Sequence, residues 1–153
     1  MFGAVTIRVE SAGGDDVRAL LLAVRGWSAG LYPPESCHGL EFTDYERAEV
    51  ALFVARSAGA AVGCGAYLLH GDGSAEVKSM FVAPEARGRG IGRAILEAIE
   101  AALSGRVTTL RLETGVKQLA AIRIYESAGF RRRGPFGSYQ ADPLSVFMEK
   151  PLA

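Results

Sequence analysis

The sequence predicts a mixed α/β chain of the α+β kind, one domain over residues 1–153, on three observations. Apolar and polar residues alternate at Val5, Ile7 and Val9, and again in later runs. Short Gly-containing connections join three consecutive strand-like runs, which makes those strands antiparallel neighbours. From Glu76 onward a strand, a glycine loop and an apolar-striped helix lead into another strand-like run, which makes a parallel βαβ crossover.

Val5 to Val9 reads as a half-buried strand because its side chains alternate at a period of two. Asp15 or Asp16 caps a helix whose apolar positions Val17, Leu20, Leu21 and Val24 recur at helical spacing; Gly26 and Gly30 weaken it and Pro33-Pro34 end it. Glu35 to Tyr45 mixes Cys37, His38, Gly39 and aromatic residues and reads as loop with a short helix. Val50 to Ala55 and Ala60 to Leu69 are strands joined by the hairpin turn Ser57-Ala58-Gly59. A turn at His70 to Ser74 leads into the strand Glu76 to Val82, and His70 beside it is expected at the surface. In the following helix Ile91, Ile95, Ile99 and Leu103 form one stripe, so the helix packs on a sheet and stops at Ser104-Gly105. Val107 to Glu113 is a strand, Gln118 to Ala128 a helix closed by Gly129, and Phe130 begins the next strand. Gly134 to Pro143 is a loop, and Ser145 to Lys150 is a final strand whose exposure offers a homodimer contact.

Composition excludes several classes. A chain of 153 residues buries roughly 70% of its unfolded surface and needs no staple. Seventeen basic residues balance seventeen acidic ones, so no global positive field attracts nucleic acid. Cys37 and Cys64 lack both Cys-x-x-Cys spacing and a His pair, which excludes structural zinc. The N-terminus has neither a basic start nor a long apolar middle, and no run approaches the roughly 18 residues of a membrane span. A soluble, cytoplasmic protein with reduced thiols is expected.

The glycine loop Arg87-Gly88-Arg89-Gly90-Ile91-Gly92 carries the chemistry. Strand, loop and helix in that order bring free backbone N–H groups and a positive helix end to one point, where phosphate binds. Glycines at 88, 90 and 92 let the backbone approach a pyrophosphate, and Arg87, Arg89 and Arg93 add local charge.

Val82 to Gly92 resembles the acyl-CoA-binding motif of the GCN5-related N-acetyltransferase (GNAT) superfamily, with Arg87, Gly90 and Gly92 at its Arg/Gln-x-x-Gly-x-Gly/Ala positions. Ala121 to Phe130 is similar to the second signature, a helix with Ala, a Tyr four residues on and a closing Gly-Phe. Glu76 to Met80, Leu112 to Gly115 and Pro143 to Phe147 resemble a bacterial, small single-domain subgroup. The resemblance implies a central, mostly antiparallel sheet of about six to seven strands with helices on both faces. It also implies that the strands Glu76 to Val82 and Val107 to Glu113 splay at a bulge, so that pantetheine lies between them beside Met80, Phe81 and Val82.

Acetyl transfer to an amine needs one proton removed from the ammonium and one given to the CoA thiolate. The resemblance puts the base at Glu76, six residues before Val82, and the acid at Tyr125. The period of two gives Glu76 a second reading, as the partner of Lys78 on the same strand face. Where many relatives carry Asn against the pantetheine arm, this chain has Gln118. Cys37 and His38, being adjacent, do not face each other as a thiol nucleophile and its base. Arg131 to Arg133 is an exposed basic run, and Trp27, Tyr32, Phe136 and Tyr139 are candidates for the acceptor pocket. The expected activity is direct transfer from acetyl-CoA to a primary amine of a small molecule or amino acid, without a metal. A protein N-terminal or lysine acetyltransferase and a non-catalytic acyl-CoA sensor are the alternatives.

Overall fold

The computed structural model describes residues 4–152. Seven strands and three α-helices follow in the order β1 (Val5–Val9), α1 (Asp15–Leu31), β2 (Val50–Ser57), β3 (Ala60–Leu69), β4 (Ser74–Val82), α2 (Ile91–Leu103), β5 (Thr109–Gly115), α3 (Leu119–Ser127), β6 (Arg131–Arg133) and β7 (Ser145–Pro151). They form one sheet in the order β1-β2-β3-β4-β5-β7-β6, with β4 and β5 parallel and every other pair antiparallel. The β2–β3 hairpin closes on Ala58 and Gly59, both at positive φ, a backbone whose twist matches the strands it joins.

Alternation along the strands gives the sheet two buried faces. On one, Phe53, Ala55, Val77, Leu110, Leu112 and Met148 pack against the stripe of α2 and against Ile122 and Tyr125 of α3. On the other, Leu52, Val54, Cys64 and Ala66 receive Val17, Leu20 and Leu21 of α1. Ile95, Leu96, Ile99 and Leu103 lose all exposure, and burial of each such side chain contributes about 1.5–3 kcal/mol. Helix α1 runs through Gly26 and Gly30, with open space beside both, and ends only where Tyr32 turns extended ahead of Pro33.

The structure departs from expectation in several places, including β2, which runs on to Ser57, and β4, which begins at Ser74. Val107 and Thr108 precede β5, because their N–H groups bond to Leu103 and Gly73 carbonyls before strand pairing begins. Phe130 belongs to the cap of α3: its N–H reaches the Tyr125 carbonyl and that of Gly129 the Glu126 carbonyl, with Gly129 at φ 99°. The last strand, β7, lies between β5 and β6, so it is not an exposed edge; β1 and β6 are the edges.

The feature that shapes the site is a break in the sheet. Parallel pairing of β4 with β5 ends at Val77 and Leu112. Just beyond, Ser79 adopts φ 60° and the register of β4 against β3 shifts, the mark of a bulge. From Lys78 to Val82, β4 keeps β3 as its only strand neighbour, and a gap opens toward β5.

Candidate active site

A cleft of about 520 Å³ passes through this gap, walled by α1 and the loop after it on one side and by β4, β5 and α3 on the other. Lys78, Met80, Glu113, Gln118 and Tyr125 all face it. Glu113 and Tyr125 come from opposite sides of the sheet and share the cleft because the strands part between them.

Beyond the end of β4, the turn Pro84–Ala86 leads into Arg87, and α2 begins after Gly90. Gly88 and Gly90 hold φ of 80° and 74°, and open space stands where a Cβ would project, so ligand oxygens can approach the backbone there. The first N–H groups of α2 have no intrahelical partner, and no acidic side chain pairs with Arg87 among the described residues. This cradle fits the diphosphate of an acyl-CoA. The expected ligand residues divide, however. A Cβ on Gly92 would stand 3.3 Å from Ile124 Cδ1 and 3.7 Å from Val82 Cγ2, so this glycine sits where α2 packs closely on α3. Ile91 is buried and offers only its backbone. Arg93 bonds Ser127 at 2.8 Å and pairs with Glu97, and Arg89 reaches Ser57 at 3.3 Å. Arg87 donates Nε to the Val82 carbonyl and lies against Trp27 and Phe81. Gln118 caps the β5–α3 turn, its amide oxygen accepting from the Gly115 N–H at 2.9 Å and the Thr114 hydroxyl at 3.3 Å.

At the other end stand two carboxylates on one face of the sheet. Glu76 is only 3% exposed and does not face the cleft. Its oxygens accept from Tyr139 at 2.5 Å and Lys78 at 3.3 Å and lie 3.0 Å from His70 Nε2. Lys78 also donates to the His38 carbonyl at 2.7 Å and to Tyr139 at 3.0 Å. Glu76 and Lys78 thus tie the loops before β2 and before β7 to β4, the pairing that the period of two allows. His70 is exposed, as its turn predicts, and also joins this network.

Two carboxylates line the cleft: Glu41, which pairs with Arg25, and Glu113. Burial pushes the Glu113 pKa up, opposed by a hydrogen bond from the Ser145 hydroxyl at 2.7 Å, and no cation pairs with it among the described residues. Tyr125 is 5% exposed, edge-on to Phe130; burial first and Glu113 second raise its pKa, so the phenol stays protonated. Period-two reading of β5 signals Glu113, since Leu110 and Leu112 take the core face and leave Arg111 and Glu113 on the other.

Of the aromatic candidates, Tyr32 lines the cleft, Trp27 covers Arg87, and Phe136 and Tyr139 pack with Phe147 outside it. Both cysteines are free: Cys37 borders the cleft, and Cys64 is buried with its thiol pushed up to about 12. Among the described residues no helix is long and apolar enough to cross a membrane.

Comparison with known proteins gives this geometry a family. Residues 48–132 match the model of the acetyltransferase (GNAT) domain. The chain is 47% identical over 150 residues to a protein of Azospirillum brasilense named IAA acetyltransferase, covering 97% of this chain and 98% of that one. A candidate acyl-CoA N-acyltransferase from Klebsiella pneumoniae has the same fold, with a TM-score of 0.82, 39% identity and coverage of 97% and 98%. A GNAT acetyltransferase of Elizabethkingia anophelis, solved with acetyl-CoA bound, shares the fold at a TM-score of 0.70 and 20% identity, covering 97% of this chain and 98% of that one. The seven-stranded sheet split between β4 and β5, the glycine loop ahead of α2 and these matches together make the chain a member of the GNAT acetyltransferase family.

Proposed function

We propose that this acetyltransferase moves the acetyl group of acetyl-CoA directly to a primary amine of a small molecule or amino acid. The observation that carries this reading is the cleft at the β4–β5 break, which holds Glu113, a carboxylate without a salt-bridge partner among the described residues, and the protonated phenol of Tyr125, while the anion-receptive loop follows directly on the end of β4. An acceptor ammonium finds in Glu113 a carboxylate without a salt-bridge partner among the described residues, and loses its proton there. The amine then attacks the thioester carbonyl, and the backbone of β4 beyond Val77, free of a strand on the β5 side, offers N–H groups to the developing oxyanion. A C–N bond forms and the C–S bond breaks; Tyr125 gives its proton to the departing thiolate, and the proton shed by the newly acylated nitrogen restores the phenol. The name of the Azospirillum relative, IAA acetyltransferase, supports a small acceptor.

A second reading keeps the base at Glu76. It is favoured by the contact of this buried carboxylate with His70, whose 33% exposed side chain offers a proton a route to water. The two carboxylates are separable by mutation, as argued below.

Calorimetric titration with acetyl-CoA tests the proposal. The parent protein is expected to bind; Gly90→Glu, which places a negative, β-carbon-bearing side chain at φ 74°, is expected to abolish binding. Tyr125→Phe is expected to bind normally while kcat falls about 100-fold or more. Absence of binding by the parent protein removes the proposal. Binding without acetyl-CoA consumption across amines, amino acids, polyamines and peptide N-termini points to a sensor, and consumption with peptides alone moves the acceptor to protein N-termini.

A further inference from the structure

Arg87 is held in an unusual way for a residue at a phosphate loop. Its guanidinium carbon sits 4.7 Å from the centre of the Trp27 ring and 5.7 Å from that of Phe81, while Nε donates to the Val82 carbonyl at 3.0 Å. No acidic side chain approaches it among the described residues. Two aromatic faces therefore do what a carboxylate does elsewhere: they fix the position of a cation, without neutralising it. Trp27 stands on α1, which packs on the opposite face of the sheet from α2, and it is the only tryptophan in the chain. It is 41% exposed, and its ring lies edge-on to Phe81 at 6.5 Å.

We infer that Trp27 is a positioning residue for the cofactor: with Phe81 it holds the uncompensated Arg87 guanidinium where its remaining N–H groups meet the CoA diphosphate. The inference rests on the acetyl-CoA reading above. A flexible arginine would lose side-chain freedom on meeting a phosphate, and stacking on a rigid ring meets that loss before the ligand arrives. The aromatic face attracts the cation without competing for its hydrogen bonds, so the positive charge remains available to the ligand. Helix α1 also lines the acceptor side of the cleft through Val24, Arg25 and Ser28, so one helix carries groups for both substrates.

The test is a double-mutant cycle on acetyl-CoA affinity, read by calorimetry. Trp27→Ala is expected to weaken binding about three- to tenfold and to raise the KM for acetyl-CoA with kcat little changed. Trp27→Phe, which keeps a ring, is expected to stay within about twofold of the parent, whereas Trp27→Leu, which keeps apolar bulk alone, should behave like the alanine variant. In an Arg87→Ala background, Trp27→Ala should cost less than about twofold further, since the residue through which it acts is gone. Equal losses in both backgrounds, or parental affinity in Trp27→Leu, overturns the inference. If Trp27→Ala fails to fold, the leucine and phenylalanine variants carry the same comparison. Failure of the parent protein to bind acetyl-CoA refutes the cofactor reading itself, an outcome distinct from parental affinity in the variants.

Discussion

Glu76 and Glu113 stand on the same face of neighbouring strands, yet their surroundings differ in a way that predicts different kinetics. Glu76 is surrounded by three hydrogen-bonding side chains, one of them cationic; Glu113 has one hydroxyl and the cleft. Burial raises the Glu113 pKa, and a carboxylate acts as a base only when ionised. The acid limb of kcat/KM is therefore expected above the ordinary carboxylate range, with activity lost as pH falls through the raised value. Glu113→Gln should remove that limb and lower kcat about 100-fold or more. Glu76→Gln should lower stability, because it breaks the charge pairing of half-buried Lys78, while the limb survives. A pH profile unchanged in Glu113→Gln and lost in Glu76→Gln would instead give the base role to Glu76.

At the scale of elements, the cleft depends on glycines whose neighbours come close. A Cβ on Gly115, the last residue of β5, would run into the phenol of Tyr32, whose oxygen accepts the Lys117 N–H at 3.0 Å and so bolts the end of α1 to the β5–α3 turn. Gly115→Ala is expected to cost about 1–3 kcal/mol in urea denaturation at unchanged slope. An unchanged midpoint would mean that α1 moves freely. The elements themselves were readable in the sequence where periodicity is strong: the β2–β3 hairpin, the α2 stripe and the glycine loop stand where the residues predict them. Period two puts Glu113 on the face away from α2, but which of the two carboxylates, Glu76 or Glu113, meets the cleft was not readable. That depends on the register of β4 against β5, which sets Glu76 opposite Arg111, and on the bulge at Ser79, and neither leaves a local pattern. The loop before β7 was also opaque, because Tyr139 acts through contacts with residues more than 60 positions away.

The whole molecule is built on strands that serve both cores at once. Phe53 and Ala55 of β2 belong to the α2 side, Leu52 and Val54 to the α1 side. Loss of packing on one face should therefore propagate to the other. Ile99→Ala, at a position with no exposure, is expected to cost about 2–5 kcal/mol. Trp27 emission, reporting on the α1 side, and far-UV circular dichroism should then follow one common thermal transition. Two separated transitions would show that the faces unfold independently.

The enclosed position of β7 bears on how the enzyme comes into being during synthesis. Strand β5 pairs with β4 over Ser74 to Val77 only, but with β7 over its full length from Thr109 to Gly115. A nascent chain that has reached α3 already possesses the cofactor loop and Tyr125, while Glu113 still lacks both its strand partner and the Ser145 hydroxyl. Because chains leave the ribosome N-terminus first, the surroundings of Glu113 are completed last.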